Sequence, residues 1–405
     1  MSFSFSFLSR LLALAGLTLF AGCGGSRPSP GGAPSPKTCA WLELARQVAV
    51  KIPSEFHAVE RERALADAAT AALELGAEAQ AEAIAGEICG WRRGDLFARF
   101  AARCFVTARL PQGDRFLTLA QEAAKGEGLE DWQRSRVQAS VERARQARPA
   151  AAASDARRVS RLEPADQAAL LPDLVEHRAA SSNLLETLSR LEAVTNQVLD
   201  LDSAAGAVDA YRVLYQKAGG LPEAEAAVYR ERVFAGVKDV FVGLHPALAC
   251  EKLIDFGEAA AKAGATNFVL QLCAEIEQKL PMVRADMRAP VQTRYGRFLA
   301  GCGWREDAAA QLEALAGFLG DSAVLAEERA VAWARLAVAW AGLGQASRAE
   351  ACHAEAARHL AALVNARPRA VAAVAVCVIY ARAEVSEPSV MEGLRAVSEG
   401  LGDPW

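Results

Sequence analysis

One spacing recurs along this chain and limits what it can become. In Trp333-x2-Leu336-Ala337-x2-Trp340-x3-Gly344-x4-Ala349-x3-His353-x2-Ala356, apolar and small residues return every three or four positions on both sides of one glycine. Such intervals share one face of a helix, so the segment predicts two helices with a break at Gly344. Ala337 and Ala349 are small enough for the two helices to cross closely, and Gly344 frees the backbone where the first helix stops. The register returns in Leu253-x2-Phe256-Gly257-x2-Ala260-x3-Gly264-x4-Val269-x3-Cys273-x2-Ile276-x4-Pro281. It returns again in Tyr295-Gly296-x2-Leu299-x3-Gly303-x4-Ala308-x3-Leu312-x2-Leu315, and with smaller residues in Ala68-Ala69-x2-Ala72-x3-Gly76-x4-Ala81-x3-Ala85-x2-Ile88. Trp41-x3-Ala45-x2-Val48-x4-Pro53 reads as the second helix of a preceding half-repeat. Each pair has an apolar face it cannot bury alone, so the pairs must stack in series.

These residues resemble the tetratricopeptide (TPR) repeat: bulky, Leu, small and aromatic positions on a first helix, a glycine turn, and small residues on a second. The turn glycines Gly264, Gly303 and Gly344 lie 39 and 41 residues apart, longer than the ~34 of that family. The resemblance covers residues 39–125 loosely and 250–400 well. It implies an all-α solenoid of antiparallel helix pairs, with a concave surface that takes a peptide or a partner helix. It also implies groove positions: Arg63, Thr70 and Glu74; Glu251, Glu258 and Lys262; Thr293 and Arg297. The same positions near Trp333 are Val331, Ala334, Val338 and Ala341, an apolar surface that predicts contact with a hydrophobic partner or another part of the chain.

The N-terminus carries a different signal. Arg10 precedes an 11-residue apolar run, Leu11 to Ala21, too short for a membrane span and suited to a signal peptide over residues 1–22. Phe20-Ala21-Gly22-Cys23 resembles the bacterial lipobox, which implies a lipid on Cys23, although that family prefers Leu where Phe20 stands. Gly24 after the cysteine then implies the outer membrane, with the body facing the periplasm. Residues 23–38 read as a tether, with 11 Gly, Pro or Ser in the 15 residues after Cys23, extended at ~3 Å per residue. Residues 39–148 read as N-terminal repeats, 149–168 as a possible linker, 169–248 as an irregular helical region and 249–405 as C-terminal repeats. Within the irregular region, Asn183 with Glu186 gives a helix start, and Leu184, Leu188, Leu191, Val194, Val198 and Leu201 form one stripe. Tyr211, Tyr215, Gly219 and Gly220 hint at one further degraded repeat.

Chemistry-bearing motifs are scarce. The glycine doublets at Gly301/Gly303 and Gly342/Gly344 fall at helix turns and follow no strand, and the chain has neither a phosphate loop nor a GxSxG elbow. The densest candidate metal group, Cys352, His353, Glu355 and His359, lacks the spacing of converging ligands, so no metal and no cofactor are expected. Beyond Cys23, eight cysteines remain and none forms a CxxC. Reduced core thiols and at least one disulfide both stay open. The net charge of −4 argues against nucleic acid as a partner. Residues 92–161 nonetheless hold 15 Lys or Arg against 8 Asp or Glu. That block either faces acidic headgroups or an acidic partner, or solvates helix surfaces and pairs with nearby acids. The functional expectation is a non-enzymatic, lipid-anchored envelope adaptor that binds a protein or peptide. The alternatives are a helical-toroid enzyme acting on envelope polymers and a self-associating spacer.

Overall fold

A computed structural model describes residues 34–126, 128–148, 166, 169–178, 183–195, 201–320, 324–402 and 404–405. The expected signal peptide, Cys23, the tether up to residue 33 and nearly all of the 149–168 linker lie outside the described residues. So do the side chains of Val194, Val198 and Leu201. Among the described residues the regular elements are helices, apart from two single 3-10 turns, and the fold is all-α and solenoid-like.

The elements are α1 (Pro36–Val50), α2 (Ser54–Glu74), α3 (Glu78–Gly86), α4 (Trp91–Val106), α5 (Leu110–Ala124) and α6 (Asp131–Gln146). Next come α7 (Leu171–Arg178), α8 (Leu184–Thr195), α9 (Leu201–Lys217) and α10 (Glu223–Gly243). The C-terminal part holds α11 (Pro246–Lys262), α12 (Thr266–Lys279), α13 (Ala285–Gly301) and α14 (Arg305–Gly320). It ends with α15 (Ala326–Gly342), α16 (Ala346–Ala361), α17 (Ala366–Arg382) and α18 (Pro388–Glu399). The first helix opens at Pro36 behind an Ser35 cap whose hydroxyl accepts from the Thr38 amide. The expected tether therefore gives way to helix earlier than residue 38, because proline at the first helical position suits a helix start as well as an extended chain.

Six of the helix breaks share one geometry. Gly76, Gly264, Gly303 and Gly344 all take a left-handed backbone, with φ between 71° and 84°. At each, the next amide reaches five residues back: Ala77 to Ala72, Ala265 to Ala260, Trp304 to Leu299 and Gln345 to Trp340, at 2.8 to 3.0 Å. This is the Schellman cap, which satisfies carbonyls that the helix end leaves open. The same cap closes α4 at Ala108 (φ 57°) and α17 at Glu384 (φ 50°), with Arg109 bonding Cys104 and Val385 bonding Tyr380. Two of these six thus lack the glycine that marks the other four. Their apolar register is intact: Phe97, Phe100, Ala101 and Cys104 in α4, and Ala373, Val376, Cys377 and Tyr380 in α17, all buried.

Helices pair as α2/α3, α4/α5, α9/α10, α11/α12, α13/α14 and α15/α16. The first helices also lie side by side in one row, from α2 through α4, α6, α7, α9, α11, α13 and α15 to α17. The row does not end there. Helix α17 packs along α2, and the partner position beside α17 is taken by α1, from the other end of the chain. Trp41 of α1 is fully buried, packs edge-on against Tyr380 at 5.3 Å, and donates its indole N–H to the Val385 carbonyl at 2.9 Å. The Lys51 ammonium donates to the Ser398 carbonyl at 2.7 Å. Helix α1 is thus the second helix of a half-repeat whose first helix is α17. Its start lies at the end of α17, so the two run antiparallel.

The open trough implied by the resemblance is therefore corrected to a closed ring of helix pairs. An open solenoid leaves both terminal repeats with one unpacked face. Here those two faces bury each other. The cores follow this circuit rather than the expected boundaries. One apolar core runs from Val175 to Cys352 without a break at 248, while the other joins Trp41–Ala144 to Ala330–Leu394. Asp166, inside the expected linker, is 2% exposed. It accepts from the Ser135 hydroxyl at 2.7 Å and pairs with Arg136 at 2.9 Å.

Candidate interaction surface on the inner face of the ring

Successive first helices pack more extensively against one another than their partner helices do. The more extensively packed layer is the inner one, so the stripe left exposed on each first helix faces the ring axis. On α2 this stripe is Arg63, Asp67, Thr70 and Glu74, at intervals of three and four. On α11 it is Glu251, Asp255, Glu258 and Lys262, and on α13 it is Arg294 and Arg297. Arg63, Glu74, Glu258, Lys262 and Arg297 are exposed, and Thr70 and Glu251 are half-buried. Thr293 is corrected. It is 6% exposed and its hydroxyl makes no hydrogen bond. The α13 stripe passes through Pro290, Arg294 and Arg297, which turns position 293 toward the packed side.

Three of the four apolar positions of α15 meet another part of the chain, and Ala341 is exposed. Ala334 is fully buried, and Val331 and Val338 pack against the core that holds the N-terminal helices and α17.

Several inner residues went unread in the sequence. Arg92, Asp95 and Arg99 of α4, Arg382 of α17 and Arg335 of α15 all fall on inner stripes. For α4 and α17 the missing turn glycine hid the repeat, although the apolar register was there to find. Arg335 stands between Val331 and Val338, and its charge is the reason a stripe judged apolar is not.

Ion pairs tie neighbouring first helices, including the two that close the ring. Arg382 reaches Glu74 at 2.8 Å and Arg367 reaches Glu60 at 3.4 Å, both from α17 to α2. Lys252 of α11 pairs with Asp209 of α9, and Arg294 of α13 with Asp255 of α11. Arg335 stands apart. It is half-buried, no ion pair holds it among the described residues, and burial together with the like charge of Arg382 destabilises its cation, against a smaller pull from Glu251. Asp67 is exposed but ringed by protein. That desolvation raises its carboxyl above the ordinary value even though Arg63, Arg382, Arg92 and Arg99 pull the other way. An unpaired cation held near another cation is costly, and an incoming anion would lower that cost.

Other candidate chemistry is occupied by structural contacts. A cleft of about 320 Å³ between α3, α4 and α5 is lined by Glu78, Glu82, Phe100 and Phe116. Arg109 holds Glu78 at 2.6 Å, and this hydrogen bond keeps its carboxyl below the usual range, while Arg115 holds Glu82. His353 is buried with its Nδ1 2.8 Å from the Tyr380 hydroxyl, whereas His359 sits beside Arg358 and Glu355. Among the described residues, no three His, Cys, Asp or Glu side chains converge as metal ligands. The eight described cysteines are free thiols. Burial pushes Cys250 and Cys352 up to about 11 and Cys302 up to about 12, so these three are poor nucleophiles.

The basic stretch from residue 92 is largely paired. Arg99 meets Asp95, Arg103 and Arg109 meet Glu78, Arg143 meets Asp173 and Arg148 meets Asp114. Among the described residues no helix is long and apolar enough to cross a membrane. No family model matches this chain, and neither a curated protein nor a solved structure matches it.

Proposed function

We propose that this protein is a non-enzymatic scaffold of the bacterial cell envelope, TPR-like in its helix pairs, that binds a protein or peptide partner on the inner face of its ring. Lipidation of Cys23 anchors it, with the body facing the periplasm, on the outer membrane by the Gly24 reading. The observation that carries the binding reading is the solvated inner stripe, where α2, α4, α11, α13 and α17 all present charged side chains and Arg335, acted on by Arg382 and Glu251, has no ion-pair partner among the described residues. A charged surface of that kind favours specificity and steering over an apolar grip.

Site-specific photo-crosslinking in native membranes tests this. Crosslinkers at Arg63, Glu258 and Arg297 should capture one common partner, and a crosslinker at Glu313, exposed on the outer helix α14, should not. Capture only from Glu313, or no partner from any inner position, overturns the proposal.

A second reading has one observation behind it. The raised carboxyl of Asp67 inside a helical ring suits a general acid, as an enzyme acting on envelope polymers requires. Cleavage of an isolated envelope polymer that Asp67→Asn abolishes would establish it in place of the scaffold.

A further inference from the structure

The inner helices are parallel. Glu60 and Glu74 of α2 meet Arg367 and Arg382 of α17 in the same chain order, and every other first helix is reached through one intervening antiparallel partner. All first helices are therefore entered at one rim of the ring, and the Schellman turns lie at the other. Large apolar side chains gather at the entry rim. Phe56 is 81% exposed, Val364 80% and Val242 78%, with Val59, Leu325 and Met282 also mostly exposed. Met287 and Val371 continue the band into α13 and α17, and Trp132 adds to it at the start of α6. Nine of the thirteen large apolar side chains exposed among the described residues thus stand at this one rim. Scattered exposure would carry no meaning, but a gathered band of this size marks a contact surface.

We infer that the entry rim is the interface between two copies of this chain, stacked rim to rim about a two-fold axis between the starts of α15 and α17. Two observations favour a second copy. The exposed apolar side chains amount to on the order of 800 Å², the share that one partner contributes to an interface of standard size. Charge also alternates in the required sense. Glu327 and Glu328 stand at the start of α15 and Arg369 at the start of α17, whereas Asp286 and Arg367 pair with Arg284 and Glu60 of their own chain. A two-fold axis between these sectors sets Glu327 and Glu328 of one copy against Arg369 of the other and Leu325 against Val364, as an isologous contact requires. The acids crowd one another, since Asp286 and Glu327 add to burial in raising the Glu328 carboxyl. The same crowding disfavours an anionic lipid surface as the occupant. The rim lies outside the inner face assigned to a partner, so the two proposals stand or fall separately.

Sedimentation velocity on the full chain, as a concentration series, reads this directly. The expected result is a reversible dimer that Val364→Asp weakens at least tenfold, with Leu325→Asp doing the same at a separate position. Both sites are exposed, so the melting temperature should stay that of the wild type. A wild-type chain that remains monomeric throughout overturns the inference, as does a dimer indifferent to both substitutions. A Cys23→Ser chain that stays monomeric and floats with phosphatidylglycerol vesicles, losing that property in Val364→Asp, assigns the rim to lipid and overturns it equally.

Discussion

Six residues carry the turn geometry of the repeats, and they differ in how well they suit it. A left-handed backbone costs a side-chain-bearing residue ~1 kcal/mol relative to glycine. Ala108 and Glu384 bear that cost at φ 57° and 50°. Ala108→Gly and Glu384→Gly should each raise stability by about 0.5–1 kcal/mol, and Gly303→Ala should lower it by ~1 kcal/mol, measured by urea denaturation. His353 gives a pH dependence. It is buried against Tyr380, and that burial depresses its pKa despite Glu387 and Glu350. The unfolded chain then binds a proton below the ordinary imidazole value of 6.5 that the folded chain resists. Stability should be complete above that pH and decline below it, by at most ~1.4 kcal/mol per pH unit from this residue. His353→Gln should flatten the decline, and an unchanged slope would show that His353 is not its source.

At the scale of the helix, close crossings decide stability. Gly257 lets α11 approach α13: a Cβ built there would stand 2.5 Å from the Phe298 ring. Gly257→Ala should therefore cost about 1–3 kcal/mol. Trp41→Ala should cost about 3–5 kcal/mol, because it empties the junction of α1, Tyr380 and Val385. Thermal unfolding would check both, and a loss under 1 kcal/mol at Trp41 would mean that α1 does not close the ring in solution. These elements also show how far the sequence can be read. The register around Gly264, Gly303 and Gly344 gave three C-terminal pairs correctly, because glycine, small crossing residues and apolar spacing coincide there. The α4 and α17 repeats keep only the apolar spacing, and without the glycine they merged into their surroundings. Of the groove positions, Thr293 failed because a helix stripe one residue out of phase turns inward.

For the whole molecule, the half-repeat at Trp41 was legible, but its missing half was not. Nothing local in residues 41–53 names residues 366–382 as the complement, since the match lies between an N-terminal second helix and a C-terminal first helix more than three hundred residues apart. The cyclic order follows only once all the pairs are stacked and their accumulated rotation returns the row to its start. Ring closure in turn shapes the inner face: arginines and carboxylates converge there from several helices instead of forming one linear strip.

A distance measurement across the closure tests this most directly. With Cys23, Cys39 and Cys89 replaced by serine, spin labels at Lys51→Cys and Glu399→Cys would report on α1 and α18 by double electron–electron resonance. The other native thiols are buried. A closed ring predicts one narrow population below about 25 Å, whereas nine first helices in an open row at ~9 Å spacing would hold the labels roughly 70 Å apart. A dominant population near the longer distance would contradict the ring.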